Sequence, residues 1–105
     1  MNIQIIGDNF NVSDNVKLLV EEKVGSRLEK LLSKFDPEMR TGLMRIQKDK
    51  FDNLKVNFDM NLPNKEHIYA ETSHKTLESA LIDLSQQVER QLKKYRDELV
   101  NYSLG

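Results

Sequence analysis

The sequence predicts a two-layer α+β domain, a four-stranded sheet with two helices on one face, in the order β-α-β-β-β-α. Three observations carry this. Two segments, Asp14 to about Lys34 and Ser73 to Tyr95 or beyond, space their apolar residues three and four apart, as one face of a helix requires. Between them Leu54, Val56, Phe58, Met60 and Leu62 alternate strictly with polar residues, the two-residue period of a strand. The other apolar runs are short and bounded by turn residues, which makes them strands as well.

The first strand is Met1 to Ile6, with Ile3, Ile5 and Ile6 as its apolar content and Gly7-Asp8-Asn9 as the turn after it. Ser13 is a favourable helix N-cap, and Asp14 places a negative charge in the first turn, where the helix dipole favours it. Along the first helix Val16, Val20, Val24, Leu28, Leu31 and Phe35 share one face. Gly25 within it costs about 1 kcal/mol of helix propensity relative to alanine. Asp36-Pro37 ends the helix, because proline disfavours helical geometry in the residue before it.

Thr41 to Lys48 is the second strand, and Asp49 to Asn53 is a polar loop of hairpin length leading into the third. Pro63-Asn64-Lys65 is a further turn, and Ile68 to Thr72 is a short fourth strand. In the second helix Leu77, Ala80, Leu81, Leu84, Val88, Leu92, Tyr95 and Leu99 form the apolar stripe. Three consecutive strands form an antiparallel meander, with the first strand added at an edge. Each helix has one apolar face, so both cover the same side of the sheet. A chain of 105 residues builds one core. Residues 1–100 are expected to form a single domain and residues 101–105 a frayed tail.

Composition excludes several functions. There is no cysteine, hence no disulfide, thiolate metal site or cysteine nucleophile. No run approaches the ~20 apolar residues of a membrane span, and the N-terminus lacks the pattern of a signal peptide. Phosphate-binding glycine loops, zinc-protease motifs and serine-hydrolase elbows are all missing. His67 and His74 stand near the two ends of the fourth strand without a second histidine at metal-ligand spacing, and Asp49 and Asp52 read as a solvated turn. No catalytic residue, metal ligand or cofactor is expected, and the chain is not expected to be an enzyme.

The positive features are cationic. Lys23, Arg27, Lys30 and Lys34 follow steps of four, three and four. At about 100° per residue they make a narrow stripe roughly 90° from the apolar face. Arg90, Lys93, Lys94 and Arg96 cluster on the second helix. Helices packed side by side would join the two groups into a surface attractive to RNA phosphates. The bland alternative is a pair of solvated helix faces, with a favourable Glu89–Lys93 and an unfavourable Arg90–Lys94 pair at four-residue spacing. A net charge of −1 gives no help to the RNA reading. The pattern alone leaves both open.

Three segments add a resemblance. They are Ile5-Ile6-Gly7-Asp8-Asn9-Phe10-Asn11-Val12-Ser13; Val20-Glu21-Glu22-Lys23-Val24 with Leu28-Glu29-Lys30 and Phe35-Asp36; and Ala80-Leu81-Ile82-Asp83 with Val88-Glu89-Arg90-Gln91-Leu92-Lys93-Lys94. With the element order, they resemble the ribosome hibernation-promoting factors and ribosome-associated translation inhibitors of bacteria over almost the whole chain. The Glu-Arg-Gln-Leu-Lys-Lys stretch is the most specific part.

The resemblance implies a fold related to double-stranded RNA-binding domains. It also implies a place in the small-subunit channel where messenger and transfer RNA pass, with basic residues of both helices facing ribosomal RNA. Carried over by position, Lys23, Lys30, Arg90 and Lys94 match family basic positions. Arg27, Lys34, Lys93 and Arg96 are added by the stripe argument. The chain departs from the family in a first helix about one turn longer, in Gln87 where lysine is common, and in Glu78-Ser79 where a tyrosine is usual. Fewer cations imply weaker or less salt-dependent ribosome binding.

The expected function is therefore steric inhibition of translation by a bacterial cytoplasmic factor. It would be monomeric off the ribosome and make no membrane contact, and any ribosome pairing would need another factor. The alternatives are a general structured-RNA-binding module and a protein-interaction domain using the sheet edge.

Overall fold

β2 (Thr41–Lys48), β3 (Leu54–Asn61) and β4 (His67–His74) form an antiparallel meander, and β1 (Asn2–Asp8) joins the outer side of β2 in parallel. The computed structural model describes residues 1–33, 41–62 and 66–104, with side chains as far as Glu98. Parallel neighbours need a crossover. Here α1 (Asp14–Val20), a π-helical turn (Glu21–Gly25) and α2 (Ser26–Leu32) supply it as one continuous helical run. α3 (Leu77–Leu104) follows β4 and packs on the same face of the sheet.

Alternation along the strands decides what reaches the core. Met44 and Ile46, then Val56, Phe58 and Met60, then Ile68 and Ala70 all face the helices. They meet Val20, Val24, Leu28 and Leu32 of the crossover and Ala80, Leu81, Leu84, Val88, Leu92 and Tyr95 of α3 in one hydrophobic core. Phe58 lies across β2, where only glycine leaves room. A Cβ on Gly42 would stand 2.5 Å from two atoms of its ring. Gly7 is needed for a different reason: the chain folds back so closely after β1 that a Cβ there would collide with the Phe10 carbonyl.

The ends of β1, β4 and α3 differ from expectation. Gly7 and Asp8, read as turn residues, complete β1 opposite Ile46 and Gln47, and the bend falls at Asn9, whose φ is 53°. Asparagine tolerates that left-handed geometry better than most residues. Ser73, assigned to the second helix, belongs to β4 opposite Lys55, and the helix starts at Leu77 with the Thr76 hydroxyl accepting from the Ser79 amide at 3.3 Å. At the other end α3 runs on to Leu104, into the segment read as a tail, since neither glycine nor proline interrupts it. Lys34, Phe35, the stop at Asp36-Pro37 and the turn Pro63-Asn64-Lys65 lie outside the described residues.

The first helix starts as expected, with the Ser13 hydroxyl accepting from the Val16 amide at 3.2 Å. It is not a uniform α-helix, however. Its fully buried apolar residues are Val20, Val24, Leu28 and Leu32, every fourth position, while Val16 and Leu31 are only partly buried. At about 100° per residue a four-residue step overshoots a full turn by about 40°. A plain α-helix would therefore place Leu32 about 120° away from Val20. The wider π turn at Glu21–Gly25 takes up that excess and holds all four on the sheet.

Two side chains tie β4 to α3. Gln91 offers its amide to the open edge of the strand: its Oε1 accepts from the Tyr69 amide at 3.3 Å and its Nε2 donates to the Tyr69 carbonyl at 2.8 Å. This occupies both peptide groups of Tyr69 that a foreign strand would use. Asp83 accepts from the Thr72 hydroxyl at 2.7 Å and meets His74 Nε2 at 3.0 Å. The His74 contact first, and the Thr72 bond second, hold its carboxyl below the usual carboxylate range. A depressed folded-state pKa stabilises the fold above the unfolded value near 3.8, and the gain is lost as pH falls through the lower folded value. The expected result is that Asp83→Asn lowers the thermal midpoint at pH 7 and that this deficit shrinks below pH 3.8, read from melting curves of both proteins across acid pH.

Candidate nucleic-acid interface

β1 and β4 point the same way, so the helical runs that follow them return over the sheet side by side. The π turn and α2 pack directly on α3. The seam between them is where the cations of the first helix meet α3. Lys23 Nζ lies 3.5 Å from Glu78 Oε1 and 3.9 Å from Glu22. Arg27 donates from Nε to Glu89 Oε2 at 2.9 Å, and Lys93 Nζ stands 3.0 Å from the other oxygen of the same carboxylate. Lys93 first, then Arg27, pulls the Glu89 carboxyl below its ordinary pKa.

The cations of α3 divide between two flanks. Measured around the helix at about 100° per residue, Lys93 and Arg96 lie within about 40° of Glu89 and share its seam side. Arg96 is exposed, with Nε 3.9 Å from Asp97. Arg90 and Lys94 lie about 100° and 140° round from Glu89, toward solvent and β4. Lys94 there borders a shallow groove with Leu62, His67, Ile68, Gln91 and Tyr95. Arg90, Lys94 and Lys30 of α2 are exposed and carry no ion pair among the described residues. Of the two clusters, Arg27 and Lys93 meet, at the Glu89 carboxylate between them. Lys94 stands on the far flank, and Lys34 lies outside the described residues.

On the opposite face of the sheet the charged groups have partners. Lys55 pairs with Glu71 at 2.9 Å, Tyr69 donates to Glu71 at 2.7 Å, and Arg45 faces Asp8 at 3.8 Å. Each ring nitrogen of His67 has a partner at 2.8 Å, Asn61 for Nδ1 and Asp59 for Nε2. In the hairpin, Asp49 accepts from the Phe51 and Asn53 amides and Asp52 pairs with Lys48, so both carboxylates are engaged in the turn itself. Among the described residues no group of His, Cys, Asp and Glu is arranged to hold a metal ion, and no helix is long and apolar enough to cross a membrane.

Residues 3–100 match the family described as Sigma 54 modulation protein / S30EA ribosomal protein. The chain belongs to that family. This is the ribosome hibernation family that the sequence resembles, so the protein is a member of a ribosome-associated, non-catalytic group connected with translation inhibition under stress. Its fold is similar to the N-terminal domain of Protein Y from Thermus thermophilus, with a TM-score of 0.74 and 22% sequence identity over 90% of this chain and 99% of that one. The element order and the two-layer α+β architecture agree with that domain.

Sequence reasoning did not find the acidic partners of this family member's cations across the seam. Glu89–Lys93 is visible as a four-residue spacing. Glu89–Arg27 and Glu78–Lys23 depend on how the two helices are aligned, which no local pattern encodes.

Proposed function

We propose that residues 1–100 act as one ribosome-binding domain, which occupies the messenger and transfer RNA channel of the small subunit, contacts ribosomal RNA and inhibits translation by exclusion. The observation that carries this reading is the distribution of charge. The helical layer presents Lys30, Arg90 and Lys94 without ion pairs among the described residues and holds Lys23, Arg27 and Lys93 beside them, while on the far side of the sheet Arg45 and Lys55 are each paired with an acid. Family membership supplies the ribosome as partner. The mechanism needs shape and phosphate contacts but no bond-making, so the protein is not an enzyme and works as a cytoplasmic monomer until it binds.

The reading in which a sheet edge recruits a protein is weakened by Gln91, which already occupies Tyr69 on β4. The decisive measurement is co-sedimentation with purified subunits across a salt series. The expected outcome is saturable binding to the small subunit, blocked by transfer RNA, with the logarithm of affinity falling linearly with that of salt. Binding that ignores salt, or that favours free duplex RNA over subunits, would overturn it.

A further inference from the structure

Glu89 is held from both sides. Its two oxygens are shared between a guanidinium on α2 and an ammonium on α3, at 2.9 and 3.0 Å, and its side chain is only 22% exposed. Arg27 and Lys93 remain about half exposed, so both cations reach solvent beyond the carboxylate they grip. Two cations converging on two oxygens that share one negative charge is the arrangement a phosphodiester would also satisfy, through its non-bridging oxygens. Along the same seam Lys23 lies 3.5 Å from Glu78 and 3.9 Å from Glu22, one cation beside two carboxylates.

We infer that Arg27 and Lys93 form an RNA phosphate site which the protein fills with its own Glu89 carboxylate until a backbone phosphate displaces it. This rests on the RNA-binding reading above and adds a selectivity device to it. A phosphate arriving alone competes with a carboxylate tethered in place and loses. A phosphate belonging to an RNA already anchored at Lys30, Arg90 and Lys94 arrives at high effective concentration and wins. The helical layer therefore binds an extended RNA surface of matching shape while discriminating against short or isolated anions. Low net charge becomes part of the recognition rather than an obstacle to it.

Glu89→Gln keeps the size of the side chain and removes its charge. The expected result is about three- to fivefold tighter binding to small subunits, since an exposed ion pair is being removed from competition. The salt dependence should steepen by about one unit of slope, because the vacated cations now meet phosphate. Binding to a short RNA duplex should gain at least as much, as it has fewer anchors with which to displace the carboxylate. The melting temperature should hold or fall, so affinity and stability move in different directions, which loss of a merely structural residue does not produce. Arg27→Ala should cancel the gain in the Glu89→Gln background.

Equal or weaker binding of Glu89→Gln to either probe would overturn the inference. The duplex arm keeps it separate from the ribosome reading. Wild-type protein that ignores subunits removes the proposed function, whereas an unchanged duplex affinity in Glu89→Gln removes the phosphate site alone.

Discussion

Reversing Lys30, Arg90 and Lys94 to glutamate together is expected to weaken small-subunit binding by at least about a hundredfold at moderate salt, since each change deletes a phosphate contact and installs a repulsive one. Among the candidate-site cations whose side chains are described, these three are the ones that are exposed and carry no ion pair among the described residues. Their loss should leave the core intact, and the melting temperature should stay near that of the parent. Lys23 is better tested apart. It lies 3.5 Å from Glu78, and a glutamate there would set two carboxylates against each other at the seam, mixing a stability effect with a binding effect. Co-sedimentation of the triple variant beside the parent reads the result. Retained binding would show that ribosomal RNA is engaged by some other surface.

The second large effect concerns stability. Phe58→Ala should cost about 3–5 kcal/mol, the range for truncating a fully buried aromatic. Domains of ordinary size are stable by only about 5–15 kcal/mol, so the variant should be close to unfolding at 37 °C and show a much lower urea midpoint. The structure adds a sharper form of this test. The Phe58 ring fills the space above Gly42, where an added Cβ would lie 2.5 Å from it and no closer than 3.3 Å to any other residue named there. Gly42→Ala should therefore destabilise the parent yet be well tolerated, or partly restorative, once Phe58 is alanine. A double-mutant cycle showing plain additivity would mean that the ring moves aside without cost.

How far the sequence reveals these features follows from the range over which each is determined. The alternation in β3 and the stripe of α3 are local, and both elements are found where the pattern runs, with the ends of α3 shifted. The family segments around Gly7 and Arg90 lead to the right relatives. The end of β4 is less legible because Ser73 and His74 suit a strand or a helix cap equally. Asp83, nine residues beyond His74, settles the matter by gripping Thr72 and His74 from α3. The π turn is hidden for a similar reason. Positions 16, 20, 24, 28, 31 and 35 fit an α-helix loosely, and only the depth of Leu32 rather than Leu31 in the core shows that the winding changes. At the candidate site the cations can be named from spacing, but their carboxylate partners come from another helix, and alignment between helices is a tertiary fact.

That π turn also sets what lengths the crossover can take. Val20, Val24, Leu28 and Leu32 would sit three, four and four apart if one residue between Val20 and Val24 were absent. Such a run covers about three turns of plain α-helix with its apolar residues inside an ~80° arc, so the same four side chains would still reach the sheet. The crossover thus contains one residue of slack, placed before the cations at Arg27 and Lys30. Chains differing by one residue at this point would keep both the core and the orientation of everything downstream, which makes Glu21–Gly25 the natural joint at which an insertion or deletion is absorbed without redesigning either face of the helix.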